Sequence, residues 1–296
     1  MKKNLRSICM LVICTMIGNI IAPAAKAESN IVNLETMYVD GIEYNVDLNI
    51  VSGEVIISGK NKNISAEMIM ECDGEATIIS EQSGRIEEYS ADVRNLSKDD
   101  VDVTVYDETG CVSKEYNSYE DINKDVYEEQ GAIWVAVTVA DVVGTLFLIY
   151  CAYEAVETTQ SVTYILLKKF YNSVAVDKAN TKVEERAKEY YYPAYIKNYK
   201  TWIAPKGIKL NSASNLIKKD LSVYSFTNNM AKRVISKAGY TAVNSNGEKQ
   251  SEIHKPKDAK GNYVYRHYHK GKTSSSGNLK KTGSSHSLFG GPKYVE

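Results

Sequence analysis

Residues 131–153 constrain the chain most. From Gly131 to Tyr153 there are 23 residues with a single charge, Asp141. Such a run must be hidden from water, inside a protein core or inside a bilayer. Asp at the bilayer centre costs about 2.5–3.5 kcal/mol, and each Ile, Val, Leu or Phe returns about 0.3–0.6 kcal/mol. The ten such residues between Ile133 and Ile149 therefore offset one aspartate. Ala132, Ala136, Ala140 and Gly144 recur every four residues and give a helix one smooth face for close packing. The expectation is a central apolar helix. It either spans a membrane, with Lys168 and Lys169 on the cytoplasmic side, or forms a buried hairpin with Val156–Phe170.

The chain opens with Lys2, Lys3 and Arg6, an apolar run from Ser7 to Ile21, and Ala25-Lys26-Ala27. This is the pattern of a secretory signal peptide over residues 1–27. The run is too short for a retained anchor and ends at Pro23. The mature protein is expected to begin at Glu28 and to be secreted, with membrane association through 131–153.

Charge divides the rest. Residues 28–130 carry 25 acidic and 7 basic side chains, whereas residues 197–296 carry 5 acidic and 19 basic. A basic module is suited to nucleic acid or another anionic partner. Cys9 and Cys14 belong to the signal. In an oxidising compartment Cys72 and Cys111 are the sensible disulfide pair, closing a loop of about 40 residues.

Residues 28–125 read as an acidic, all-β antiparallel domain. Ile42-Glu43-Tyr44-Asn45-Val46-Asp47-Leu48 and Val101-Asp102-Val103-Thr104-Val105-Tyr106 alternate apolar with polar. Asp40-Gly41, Ser52-Gly53, Asp73-Gly74 and Ser83-Gly84 supply turns at short intervals. Residues 154–199 read as a helical linker ending at Pro193. Residues 200–296 read as a small, basic α+β module, with helices near Leu216–Leu221 and Thr227–Lys237 and a polar, glycine-rich loop at 271–277. The fold class expected is thus multi-regional: a β domain, an apolar helix and an α+β module.

All four histidines lie in the last 43 residues. On a strand, Tyr263, Tyr265, His267 and His269 share one face and Arg266 and Tyr268 the other. Two adjacent imidazoles can form a general acid–base pair or ligate a metal, and His254 and His286 could be folded towards them. The module contains no cysteine, so a structural zinc site is not expected. The order of residues does not match a ββα-metal nuclease. No metal and no cofactor is expected. The basic setting suits a phosphodiester, because Lys and Arg hold phosphate and stabilise developing charge.

Arg266-His267-Tyr268-His269 and Ser285-His286-Ser287-Leu288-Phe289-Gly290-Gly291-Pro292 resemble the C-terminal modules of secreted toxins of Gram-positive bacteria. The resemblance covers about the last 45 residues and is architectural elsewhere. It implies a toxic or competitive role and an immunity protein as partner. The functional expectation is a secreted toxin that acts on nucleic acid, with ribonuclease chemistry favoured. His267, His269, His286 and Arg266 are its catalytic candidates, and Lys270, Lys280 and Lys281 its substrate-binding candidates. The alternative is a non-enzymatic, membrane-associated envelope protein.

Overall fold

In the computed structural model, residues 30–39, 42–60, 64–127, 139–176, 181–253 and 260–296 are described. The signal segment, the Asp40-Gly41 turn, residues 131–138 of the apolar stretch and His254 lie outside them.

Period-two patterning organises the first half. In β2 (Ile42–Asn49) Tyr44, Val46 and Leu48 are buried and their polar neighbours are only partly covered. In β7 (Val101–Tyr106) Val101, Val103 and Val105 do the same. Between and around them run β1 (Ile31–Val39), β3 (Val55–Lys60), β4 (Ile64–Met70), β5 (Glu75–Gln82), β6 (Arg85–Leu96) and β8 (Val112–Tyr116). Each pairs antiparallel with the next. Ser83 and Gly84 join β5 to β6 with φ values of 53° and 80°, the double positive φ of a tight hairpin turn.

The sheet does not stop there. Leu96 of β6 pairs with Thr158 of β9 (Val156–Thr159). The ladder then continues through β10 (Val162–Leu166), β12 (Lys200–Ile203), β11 (Tyr192–Lys197), β13 (Ser222–Ser225), β16 (Leu279–Tyr294), β15 (Tyr263–Thr273) and β14 (Thr241–Val243). All of these pairings are antiparallel except β13 with β16, which is parallel. The described residues therefore form one 16-stranded mixed sheet, and residues 31–296 pack as one compact unit. The multi-regional fold class is corrected accordingly. The physical reason is edge pairing: β5 covers β6 only as far as Asp92, and β9 pairs with its end at Leu96, so the β structure never closes into a domain of its own. One hydrophobic core runs from Val46 and Met68 to Ile203, Tyr224, Tyr265 and Leu288.

The apolar stretch is corrected as well. Its described part is α2 (Val139–Ala152), 14 residues long, following α1 (Tyr119–Tyr127). Among the described residues no helix is long and apolar enough to cross a membrane. Instead α2 lies across β3 to β6 and against α1. Val143, Leu146, Phe147, Leu148, Ile149, Tyr150 and Cys151 are all buried, and Phe147 meets Tyr116 edge-on at 5.9 Å. A helix covered on several sides has no need of a polar face, which is why its sequence resembled a membrane span.

Val156–Phe170, expected to be its helical partner, is the β9–β10 hairpin running into the short helix α3 (Leu167–Tyr171). Residues 154–199 are likewise no helical linker. Besides α3 they hold a π-helical turn (Asn172–Val176), α4 (Thr181–Ala187) and β11.

The Cys72–Cys111 bridge is absent: Cys72, Cys111 and Cys151 are all free. Cys72 sits at the β4–β5 turn and Cys111 at the β7–β8 turn. With β6 between β5 and β7, and with the two turns at opposite ends of those strands, the thiols lie well beyond two strand spacings of about 4.8 Å. A disulfide requires Cα atoms within about 7 Å.

Candidate functional site: a buried histidine cluster at the β14–β15–β16 edge

The last part of the sheet carries a helical layer on one face. Helices α5 (Leu210–Lys218) and α6 (Asn228–Lys237) pack on it through a second core of Ala213, Ile217, Val223, Ala231, Val234, Ile235, Tyr268 and Phe289. Thr227 caps α6, its hydroxyl accepting the Met230 N–H at 3.3 Å. The even positions of β15 face this layer. Tyr268 stacks on Phe289 at 5.5 Å, and Lys270 reaches under α5.

The odd positions point to the other face. His267 pairs with Leu288 and His269 with His286 in the β15–β16 register. On the opposite edge of β15, Val243 pairs with His269 and Glu252 forms an isolated antiparallel bridge to His267. Cross-strand partners project to the same side. Register therefore brings His267, His269, His286 and Glu252 together. The three imidazoles offer ligand atoms all within 4.8 Å of one another, and their ring centroids are 5.1, 4.9 and 4.7 Å apart. His267 and His269 are 5% and 0% exposed, whereas His286 is half-buried and forms the outer wall of the cluster.

Each buried ring is oriented by backbone. His267 Nδ1 lies 3.2 Å from the Tyr265 carbonyl and His269 Nδ1 lies 3.3 Å from the Ser285 carbonyl. With each Nδ1 beside a carbonyl acceptor, both Nε2 atoms turn inward. There they meet Glu252 Oε1, 2.7 Å from His269 Nε2 and 3.5 Å from His267 Nε2. Glu252 is itself fixed by Ser245, whose N–H and hydroxyl donate to it at 2.9 and 2.6 Å. Burial holds the His269 imidazole below its ordinary pKa, and the Lys281 ammonium adds to this against the opposing pull of Glu252.

The position of His286 depends on an irregular stretch of β16. Between the His269–His286 and Gly271–Lys281 pairs the register shifts, so residues 282–285 bulge out. Asp220 holds that bulge. Its carboxylate accepts the Ser284 N–H at 2.9 and 3.0 Å, the Ser285 N–H at 2.9 Å and the Ser284 hydroxyl at 3.1 Å. It also pairs with Lys270 Nζ at 3.1 Å. These backbone N–H donors hold its carboxyl well below the usual carboxylate range. At Gly283, φ is +71° and a Cβ would fall 2.3 Å from Asp220 Oδ1; the close approach requires glycine. The Ser222 hydroxyl then accepts the His286 N–H at 3.0 Å.

Asp220→Ala is expected to remove the anchor of the bulge and leave the buried Lys270 ammonium with the Ile217 carbonyl, 3.0 Å away. Breaking a buried pair from one side costs about 3–5 kcal/mol. Asp220 is 41% exposed, so solvent screens much of that, and the loss is expected at about 1–2 kcal/mol, measurable by urea denaturation. Because its folded pKa is depressed, the carboxylate's contribution is complete above about pH 4. It is lost as the pH falls further towards the folded value.

Of the residues singled out by sequence, His267, His269 and His286 come together. Arg266 does not join them: it is exposed on the opposite face, 3.5 Å from the Ser251 hydroxyl. Lys270 is also on that face and is buried, its ammonium committed to Asp220 and Ile217. Lys280 and Lys281 are exposed on β16. Two residues were missed, Glu252 and Asp220. The signal that could have found them is scarcity, since the last hundred residues hold 5 carboxylate side chains. A separate cleft of about 410 Å³ gathers Lys188, Glu189, Tyr191, Lys209 and Arg233 beside α5 and α6, away from the imidazoles. Comparison with protein-family models, with curated proteins and with solved structures returns no match.

Proposed function

We propose that the protein is an exported toxin that cleaves phosphodiester bonds of nucleic acid, RNA first, by acid–base catalysis at the histidine cluster. One observation carries this reading: three imidazoles, separated in sequence by up to 19 residues, converge within 4.8 Å beside a lysine-bearing strand. His286 is the ring that a substrate reaches, because His267 and His269 lie behind it. It accepts the proton of the attacking hydroxyl and returns a proton to the departing oxygen. Charge developing on the phosphate meets Lys281, which pairs with Gly271 on the histidine face and whose ammonium acts on His269, whereas Lys280, paired with Lys272, projects from the other face. An immunity protein that covers this edge is the partner class that accompanies such a toxin.

The test uses residues 28–296, because the C-terminal strands share a core with the rest of the chain. Produced in a bacterial cytoplasm, this chain is expected to slow growth while cellular RNA or DNA breaks down. Growth arrest with nucleic acid intact would overturn the nuclease reading. A mature form that still carries Met1 would overturn the export reading.

A further inference from the structure

The centre of the cluster is rich in acceptors. Backbone carbonyls stand at the Nδ1 atoms of His267 and His269, and both Nε2 atoms face one carboxylate oxygen, at 2.7 Å for His269 and 3.5 Å for His267. Acceptors around both rings favour positive charge at the centre. A proton supplies it for one ring at a time. A metal ion does so for the whole group. The carbonyl-bound Nδ1 is moreover the usual outer support of a metal-bound imidazole, because it fixes the tautomer and aims Nε2 at the ion.

We propose that His267, His269 and His286 bind a divalent first-row transition ion, zinc foremost, with Glu252 as the neighbouring counter-charge. The inference rests on the cluster being the working site proposed above; a bound ion would take up the His286 lone pair, so that the water it holds, rather than the imidazole, would give up the proton.

Three imidazoles without cysteine are a ligand set for zinc or its neighbours in the first row rather than for calcium or magnesium. Ligands around a tetrahedral zinc, with bonds of about 2.0–2.1 Å, stand about 3.3 Å apart. The present spread of up to 4.8 Å closes with about 1.5 Å of side-chain movement. The half-buried His286 has the freedom to make that movement. The two buried rings and Glu252, clamped by Ser245, are a preset half-site. Three protein ligands leave the fourth position to water or a phosphate oxygen, the arrangement of catalytic rather than structural zinc. There a bound ion would lower the pKa of water and neutralise charge on the phosphate. Sequence set a metal aside for want of cysteine and missed Glu252, which reaches His267 and His269 only through strand register.

Full-length protein stripped with a chelator, dialysed and titrated with zinc chloride in a calorimeter is expected to bind one equivalent with a Kd below about 1 μM. Cobalt(II) should bind in its place and show the intense visible absorption of a four-coordinate ion. His286→Ala should weaken zinc binding at least 100-fold, and Glu252→Gln about 10–100-fold, the range for an outer-shell partner. Far-UV circular dichroism and melting curves check that the variants are folded, and His286→Gln replaces the alanine variant if that one is not. Absence of stoichiometric zinc binding by folded protein, or undiminished affinity in the folded His286 variant, would overturn the proposal. Zinc bound at the cluster with nucleic acid untouched would support it and refute the nuclease reading. Nucleic acid cleaved by a protein that binds no zinc would do the reverse.

Discussion

His286→Ala is expected to lower nucleic-acid cleavage by about 10²–10⁴-fold, the span that one general acid–base group supplies, while the protein stays folded. The two arms of that expectation have different structural grounds. The loss of rate follows from position, because His286 is the outermost ring of the cluster and adjoins both buried imidazoles. Retention of the fold follows from burial, because a half-buried ring leaves little cavity when it is removed. His267→Ala and His269→Ala should reduce cleavage as strongly, but they should also lower stability, since each empties a buried site and strips Glu252 of a neighbour. The pH dependence has a definite sign. His269 has a folded pKa below that of the unfolded chain, so between the two values the unfolded state binds more protons and stability rises with pH. Stability should therefore decline on acidification from about pH 6.5, and His269→Asn should flatten that decline. Rates of labelled RNA cleavage and urea midpoints at matched pH read both effects. A His286→Ala protein as active as its parent would remove His286 from catalysis.

Phe147→Ala should destabilise the protein by about 3–5 kcal/mol, the usual range for emptying a buried aromatic site. Phe147 is fully buried in α2 and packs edge-on against Tyr116, and α2 is the element laid across β3 to β6. Removing the ring therefore opens a cavity between helix and sheet. Val112→Ala, at a side chain 56% exposed, should change stability by less than about 0.5 kcal/mol. Both are read as urea midpoints at constant slope. A midpoint unmoved by Phe147→Ala would mean that the helix is not part of the core and would reopen the membrane reading of that segment.

Local pattern by itself determined much of this protein. Alternation in residues 42–48 and 101–106, with the Ser83-Gly84 turn, specifies strands and hairpins, because side chains alternate across a sheet and few residues accept φ above zero. The pairing of His267 with His269 on one strand face follows from the same period of two. Tertiary structure alone decided how far the sheet extends, since nothing local in Leu96 or Thr158 announces that β6 will take β9 as a partner. It also decided the apolar stretch. A helix buried on several sides and a membrane span have similar composition, and what packs around the helix separates them. In the site, His286 and Glu252 meet the other two imidazoles through strand register, and Asp220 sets the bulge that carries His286 there. Register and bulges are fixed by pairing across the sheet, which joins residues tens of positions apart and leaves no mark at short range.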